Sequence, residues 1–187
     1  MENLELRRSN GQLTKLLDIP LPSTPVSLAW AADGRWLAVG TETGGLVLID
    51  VPAGRHARLA DFPGPVRSVG FSASANALVA AGAYRTAGWS LDTPPVESAA
   101  VGALSTGRTG LAIVSAAAIQ PRGNLVASGY ANGQIVVAQL GSLDEMILRA
   151  SGGPVTALEW TEDGQHLAVG DALGNVAIAT FPRQLFK

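Results

Sequence analysis

The sequence of 187 residues contains no cysteine and little charge. The absence of cysteine excludes disulfides, thiolate zinc sites, iron–sulfur clusters and a cysteine nucleophile. Lysine is scarce, because Lys15 and Lys187 are the two lysines among 13 Lys and Arg residues, and the formal net charge is −2. A nucleic-acid-binding protein normally carries a basic stripe. None is visible, so we expect no nucleic-acid partner.

Long apolar runs are also missing. No run approaches the roughly 20 residues of a membrane helix, and the first residues do not have the pattern of a signal peptide. We therefore expect a cytoplasmic protein with no membrane partner. Hydrophobic residues make up 47% of the chain and there are 22 glycines, which excludes disorder as the main state and predicts many tight turns. The scarcity of lysine beside abundant alanine and arginine indicates a GC-rich bacterial genome.

One sequence unit occurs four times. The first copy contains PVSLAW, DG, WLAVG and GLVLID, the last contains PVTALEW, DG, HLAVG and GNVAI, and two looser copies lie between them. The glycines that close the second segment of each copy are Gly40, Gly82, Gly129 and Gly170. Their spacing of about 41 to 47 residues is typical of repeat architectures such as propellers.

Each unit reads as strands. Apolar residues alternate with small or polar ones in the first segment, and Asp-Gly pairs predict hairpin turns. Third strands are predicted at Leu46–Val51, Ile135–Leu140 and Val176–Thr180, and polar fourth strands at His56–Asp61 and Glu145–Arg149. We expect the glycine-rich stretch 99–110 to form an extended loop. Four strands per unit predict one β-propeller blade each.

The unit resembles the WD-repeat β-propeller pattern from about Thr24 to Thr180. The third and fourth units are most similar to the closing repeats of bacterial WD-repeat proteins. The Trp-Asp pair that names the family is reduced to Ile49-Asp50, Trp89-Ser90 and Ala179-Thr180. The opening Gly-His pair is missing, so the family's hydrogen-bond network cannot form in its usual way. We expect the blades to depend mainly on apolar packing.

The predicted fold is therefore all-β: a β-propeller of about four WD-type blades, each a four-stranded antiparallel sheet. We expect residues 1–187 to form a single domain. Its predicted parts are an N-terminal strand region and four blades, at residues 1–22, 23–62, 63–104, 111–150 and 151–181.

Three arrangements of the ring remain open. The last unit lacks a fourth strand, and Leu13–Asp18 could supply it and close a four-bladed ring. Alternatively, Leu4–Arg7 and Leu13–Asp18, joined by a turn at Ser9-Asn10-Gly11, form a hairpin that looks like strands three and four of a preceding blade. The chain would then be part of a longer propeller. As a third arrangement, two copies could assemble into an eight-bladed ring.

Catalytic groups are poorly supplied. The two histidines, His56 and His166, stand at strand edges without a partner set, and the Gly-rich stretches at 107–110 and 151–153 lack the spacing of a phosphate-binding loop. We predict no catalytic, cofactor or metal site. The tryptophans lie at repeated strand positions and are predicted to pack in the core, at Trp30, Trp36, Trp89 and Trp160.

The expected function is that of a non-catalytic scaffold. Members of the WD-repeat family bind proteins at the loop face of the ring, so the resemblance implies a protein partner and residues that would contact it. The first-strand entrances supply Thr24, Arg67 and Thr156, and the loops after the second strands supply Glu42, Tyr84, Arg85, Tyr130 and Asp171. Two alternatives are a propeller enzyme or small-ligand binder that uses the central channel, and a partial propeller that needs a second chain. Open blade edges would allow a homo-oligomer.

Overall fold

The computed structural model describes residues 2–9, 12–96 and 103–182. Within these ranges the chain forms 17 β-strands and no helix. All strand pairs are antiparallel. The prediction of an all-β fold is therefore confirmed.

The N-terminal hairpin consists of β1 (Glu2–Ser9) and β2 (Leu13–Leu21). It matches the predicted hairpin, although Asn10 and Gly11 of its expected turn lie outside the described residues. Apolar side chains alternate along both strands and face one side, where Ile19 and Leu21 become buried.

Four further sheets follow in chain order, three with four strands and the last with three. We number them sheets 1 to 4. Sheet 1 contains β3 (Pro25–Trp30), β4 (Trp36–Thr41), β5 (Gly45–Asp50) and β6 (Arg55–Asp61). Sheet 2 contains β7 (Val66–Ser72), β8 (Ala77–Gly82), β9 (Arg85–Ser90) and β10 (Leu104–Thr106). Sheet 3 contains β11 (Val114–Ile119), β12 (Leu125–Tyr130), β13 (Ile135–Gln139) and β14 (Glu145–Arg149). Sheet 4 contains β15 (Val155–Trp160), β16 (His166–Asp171) and β17 (Val176–Thr180).

The Asp-Gly pairs form hairpin turns, as predicted. Gly34 and Gly164 adopt positive φ angles of 71° and 70°, which glycine reaches without steric cost. The Asp33 and Asp163 carboxylates accept hydrogen bonds from backbone N–H groups two residues later. This pattern joins the first and second strands of sheets 1 and 4.

One expectation about a loop is wrong. Within the stretch 99–110, Leu104–Thr106 forms β10 and pairs with β9 as the fourth strand of sheet 2. Residues 99–102 lie outside the described ranges. The strand is short and opposes Thr86–Gly88, so neither strand has the long apolar alternation on which sequence patterns depend.

The sheets stack in sequence order, each on its neighbours. We call the face toward the preceding sheet the leading face and the face toward the following sheet the trailing face. A large core lies between sheets 1 and 2, and a second lies between sheets 3 and 4. Smaller clusters join sheet 2 to sheet 3, and the hairpin to the leading face of sheet 1.

The two ends of this stack do not pair with each other. β2 pairs with β1, and sheet 4 has no fourth strand among the residues that the structure describes. Leu13–Asp18 therefore does not complete the last sheet, as the closed four-bladed arrangement would require. β1 occupies one edge of β2, and the other edge has no strand partner among the described residues.

Candidate functional site

The predicted interaction residues lie at one end of the sheets, which we call the loop end. There the backbone N–H of Glu42 donates to the carbonyl of Thr24 at 2.9 Å. The same bond recurs from Ala131 to Ile113 in sheet 3 and from Ala172 to Pro154 in sheet 4, each at 2.8 Å. The strand entrances and the loops after the second strands are thus held together by the backbone.

A β-bulge marks the entrance of the first strand in each of the four sheets. The register shifts between Pro25 and Ser27 in sheet 1, and at the matching places in the other sheets. The extra residue is Arg67 in sheet 2 and Thr156 in sheet 4, and both are exposed. Bulges re-aim side chains near functional sites, which is how these two reach the surface.

Six of the eight predicted residues are exposed: Thr24, Glu42, Arg67, Tyr84, Arg85 and Thr156. Tyr84 and Arg85 stand at the tip of the β8–β9 hairpin, directly after Ala83, whose φ is +49°. The Tyr84 carbonyl accepts a hydrogen bond from Gly110 at 2.8 Å. The Arg85 guanidinium lies 5.2 Å from the centre of the Phe62 ring. This cation–π contact orients Arg85.

Tyr130 is buried, contrary to its predicted place on the surface. It is the last residue of β12, pairs with Val114 and packs with Ala81 and Val136. Burial raises the pKa of its hydroxyl, and the charge of Glu145 adds to this effect. Its ring is a structural contact between sheets 2 and 3.

Asp171 is likewise buried and holds the structure together. Its carboxylate accepts a hydrogen bond from Arg149 of sheet 3 at 3.1 Å and from the side chain and backbone of Asn175. Burial opposes ionisation, but these hydrogen bonds outweigh it, so the pKa of Asp171 lies below its ordinary value. Arg149 also donates to the Gly153 carbonyl. The pair ties sheet 3 to sheet 4.

The position explains both corrections. Tyr130 and Asp171 each end a second strand, opposite the first residue of the neighbouring strand. The matching residue of sheet 1, Thr41, is also fully buried. The side chain at this position points between sheets, and the exposed loop begins one residue later.

The tryptophans give a different correction. Trp36, Trp89 and Trp160 are buried as predicted, but Trp30 is 52% exposed. Trp160 occupies the equivalent position in sheet 4, where its indole N–H donates to the Ala118 carbonyl of sheet 3 at 3.2 Å. In sheet 1 the hairpin covers the leading face over β4 and β5 only. Among the described residues, no strand lies in front of β3, so Trp30 stays exposed.

Two bare apolar surfaces therefore lie at the ends of the stack, and the sequence prediction missed both. The bare part of the leading face of sheet 1 carries Leu28 and Trp30. Within the described residues, the trailing face of sheet 4 carries apolar residues and three polar ones by the strand register: Ala157, Ala168, Gly170, Val176 and Ile178, with Glu159, His166 and Thr180. A comparison of the first and last sequence units with the inner ones could have found both surfaces, because the equivalent residues of the inner units have a neighbouring unit to pack on.

Other chemistry is sparse in the described part of the chain. No three His, Cys, Asp or Glu residues gather in a way that could hold a metal ion within residues 2–9, 12–96 and 103–182. His166 contacts Thr180 at 2.9 Å, and His56 pairs across the sheet with Ile49. A cavity of about 370 Å³ opens between sheets 1 and 2 at the end opposite the loops, and its lining includes the segment 30–33 after β3 together with Trp36 and Phe71.

The described residues contain no helix of the length and apolar character that a membrane crossing needs. No family model and no curated protein matches the sequence. The fold is similar to the crystal structure of the computationally designed Ika4 protein, with a TM-score of 0.68 and 19% sequence identity. The likeness covers 87% of this chain and 94% of that one, and at this identity it concerns the fold alone.

Proposed function

We propose that the protein is a non-catalytic, WD-repeat-like scaffold that binds a partner protein through its loop end. The observation that carries the proposal is the fixed, exposed pair Tyr84 and Arg85. Tyrosine and arginine supply much of the binding energy in protein interfaces. Here the Gly110 hydrogen bond fixes the Tyr84 backbone at the hairpin tip, and the Phe62 ring orients the Arg85 guanidinium.

This arrangement favours binding because ordering a side chain costs free energy on association. The Arg85 side chain, which the Phe62 ring already orients, loses less freedom on binding, and Tyr84 stands beside it on a fixed backbone. Arg67, Glu42 and Thr24 extend the same end of the stack with donors, acceptors and charges of both signs. A peptide or protein surface, which offers carbonyls, carboxylates and aromatic rings, fits such a set.

The test compares two immobilised variants in affinity capture from a lysate of the source cells. Y84A/R85A removes the proposed contact, and R122A removes an exposed arginine at the opposite end, where it pairs with Glu162. We expect a protein that is retained by wild type and R122A but lost with Y84A/R85A. The captured protein is then purified, and its Kd for the three chains is measured by calorimetry.

The expected result is a Kd at least about tenfold weaker for Y84A/R85A, since hot-spot truncations cost on the order of 2 kcal/mol or more. Equal affinity for all three chains would place the partner elsewhere and overturn the proposal. Circular dichroism of both variants checks that neither substitution changes the fold.

A further inference from the structure

Two of the three internal junctions between sheets have a close approach at a glycine, Gly40 in sheet 1 and Gly129 in sheet 3, whereas the register places Ala81 at this position in sheet 2. In sheet 1 a Cβ at Gly40 would meet the Val66 carbonyl oxygen of sheet 2 and lie 2.8 Å from Val66 Cγ1, and it would also meet Ser27 Oγ of its own sheet. In sheet 3 a Cβ at Gly129 would lie 2.7 Å from the Cβ of Val155 of sheet 4. Real Cβ atoms are not found at such distances. Glycine is required at both positions because the next sheet is so near.

Gly170 is the equivalent residue of sheet 4, but nothing approaches it. Its nearest atoms are those of its own sheet, at 3.6 Å in Ala157 and 3.9 Å in Thr156. Its φ does not require glycine either, since it is not among the positive values. Gly170 therefore stands at the position of a junction glycine, but no neighbouring sheet contacts it within the described residues.

The residues next to Gly170 on the trailing face are also exposed where their equivalents in sheet 1 are buried. Gly40 pairs with Leu46, and Gly170 pairs with Val176. Leu46 is fully buried against sheet 2, whereas Val176 is 80% exposed. One step along, Leu48 is fully buried and its equivalent Ile178 is 69% exposed. Apolar patches of this kind on a sheet face typically mark an interaction site.

The leading face of sheet 1 has a corresponding uncovered region on β3. Leu28 and Trp30 are 56% and 52% exposed, whereas Leu158 and Trp160 at the equivalent positions of sheet 4 are 8% and 4% exposed. Sheet 3 covers those two residues and accepts the Trp160 indole hydrogen bond at Ala118. The sheet 4 residue equivalent to Ala118 is Glu159, by the register of β15 with β16.

We infer that these two faces bind each other between two copies of the chain, head to tail, and reproduce the internal junction. Gly170 of one copy then meets Pro25 of the other, Val176 and Ile178 cover Leu28 and Trp30, and the Trp30 indole donates to the Glu159 carbonyl. The occupant is a second copy because the chain already makes this kind of junction three times, with glycine at the close approach in sheets 1 and 3 and with Ala81 there in sheet 2.

Two copies close the assembly. A head-to-tail contact forms a ring if its rotation closes and an open filament if it does not. One chain supplies four sheets, and propellers typically have about four to eight blades. Two copies reach eight, whereas three would exceed that range.

The hairpin adjusts to this arrangement. It covers the outer part of the leading face of sheet 1, and the arriving sheet 4 brings a third strand to that region. The hairpin moves outward by about one strand spacing, roughly 4.7–4.9 Å. It then lies beside β17, whose outer edge has no partner among the described strands, and supplies the missing fourth strand by strand addition.

The first test is the mass of the full chain in solution by sedimentation equilibrium. We expect twice 19.1 kDa, and we expect I178R to sediment as a monomer. The matched control is I147R, because Ile147 is an apolar residue of β14 with 55% exposure that lies on neither bare face. A monomeric wild type, a dimeric I178R, or wild-type species that grow beyond the dimer would overturn the inference.

A mixing experiment identifies the direction of the contact. W30R alone and I178R alone are both expected to be monomers, since each damages both junctions of the ring. An equimolar mixture retains one junction with two intact faces and is expected to form a heterodimer. A face-to-face dimer that joins two leading faces would leave I178R dimeric and would contradict the head-to-tail geometry.

The close approach itself provides another test. G170A adds a Cβ where the equivalent Cβ at Gly129 would lie 2.7 Å from the Cβ of Val155, so G170A is expected to sediment as a monomer. G141A is the matched control, because a Cβ at Gly141 meets nothing within 4 Å, and it should remain a dimer. A dimeric G170A would count against the junction. E159A, which removes a carboxylate that the junction desolvates, should tighten the dimer.

Discussion

Two buried carboxylates are held by arginine side chains, one of them between two sheets and the other within one sheet. Asp171 at the loop end accepts hydrogen bonds from Arg149 of sheet 3 and from Asn175. Asp50, at the opposite end of sheet 1, accepts from Arg35 and Arg55 of the same sheet. The Arg35 hydrogen bond lowers the pKa of Asp50, against the opposing effect of burial. Such groups contribute stability only in their ionised form.

Acid should therefore weaken the contact between sheets 3 and 4. The pKa of Asp171 in the folded chain lies below its ordinary value of 3.8. Its contribution to stability is therefore complete well above 3.8, decreases below that value, and is lost as pH falls through the lower pKa of the folded state. We expect D171N to lose less free energy of unfolding than wild type between pH 7 and pH 3. Urea denaturation at both values measures this, with D144N as an exposed control that should follow wild type.

The same residue shows what a sequence can and cannot predict at this scale. The sequence pattern predicted where each second strand ends, and Tyr130 and Asp171 at those ends were assigned to the interaction surface. It could not decide whether Tyr130 and Asp171 point outward, because a one-residue step reverses the side of a strand. Tyr84 and Arg85 were placed on the surface successfully because they lie past the strand end.

At the scale of elements, the hairpin stabilises sheet 1 by covering it. Ile19 and Leu21 pack on Leu37, Val39 and other residues of β4 and β5. These contacts are long-range in sequence and depend on the alternating apolar face of β2. The alternation was visible in the sequence, whereas the surface it covers was not.

We expect I19A to lower the free energy of unfolding by about 2–5 kcal/mol, because it leaves a cavity in this cluster. L13A in the same strand should change it by no more than about 0.5 kcal/mol, since Leu13 is 67% exposed. Chemical denaturation of both variants provides the comparison. Equal effects would show that the hairpin does not pack on sheet 1 in solution.

Across the whole molecule, stability should fall toward sheet 4. Each sheet packs mainly on its neighbours, as in repeat proteins whose stability is a sum of units and their interfaces. Sheet 1 is covered on its trailing face, whereas β17 has exposed side chains and one strand partner. Regions with few buried contacts open at lower free energy.

Hydrogen exchange measured by mass spectrometry at low protein concentration should show this gradient. Amides of β17 are expected to exchange faster than those of β5, which is buried and paired on both sides. Exchange in β17 that slows as the concentration rises would indicate that a second copy covers it. Equal protection of β5 and β17 in the monomer would contradict the gradient.

At this scale the repeat pattern predicted the strands and their order well. Hydrophobic alternation, Asp-Gly turns and a regular glycine were sufficient, because each unit folds through local hairpins. The pattern could not determine which strand pairs with β2, since β1 and β17 are both suitable partners by composition. The predicted burial of Trp30 was wrong because burial at this position depends on a preceding sheet, and a single sequence unit does not show whether that sheet is present.

The recurring glycine has a consequence for how such chains change length. Because the contact between neighbouring units uses the same few positions each time, a duplicated unit meets a surface already suited to it. A further unit after residue 181 would meet Gly170, Val176 and Ile178, which stand at the positions that sheets 1 and 3 use for this contact. The number of units can thus vary by gene duplication, while the contact between units stays the same.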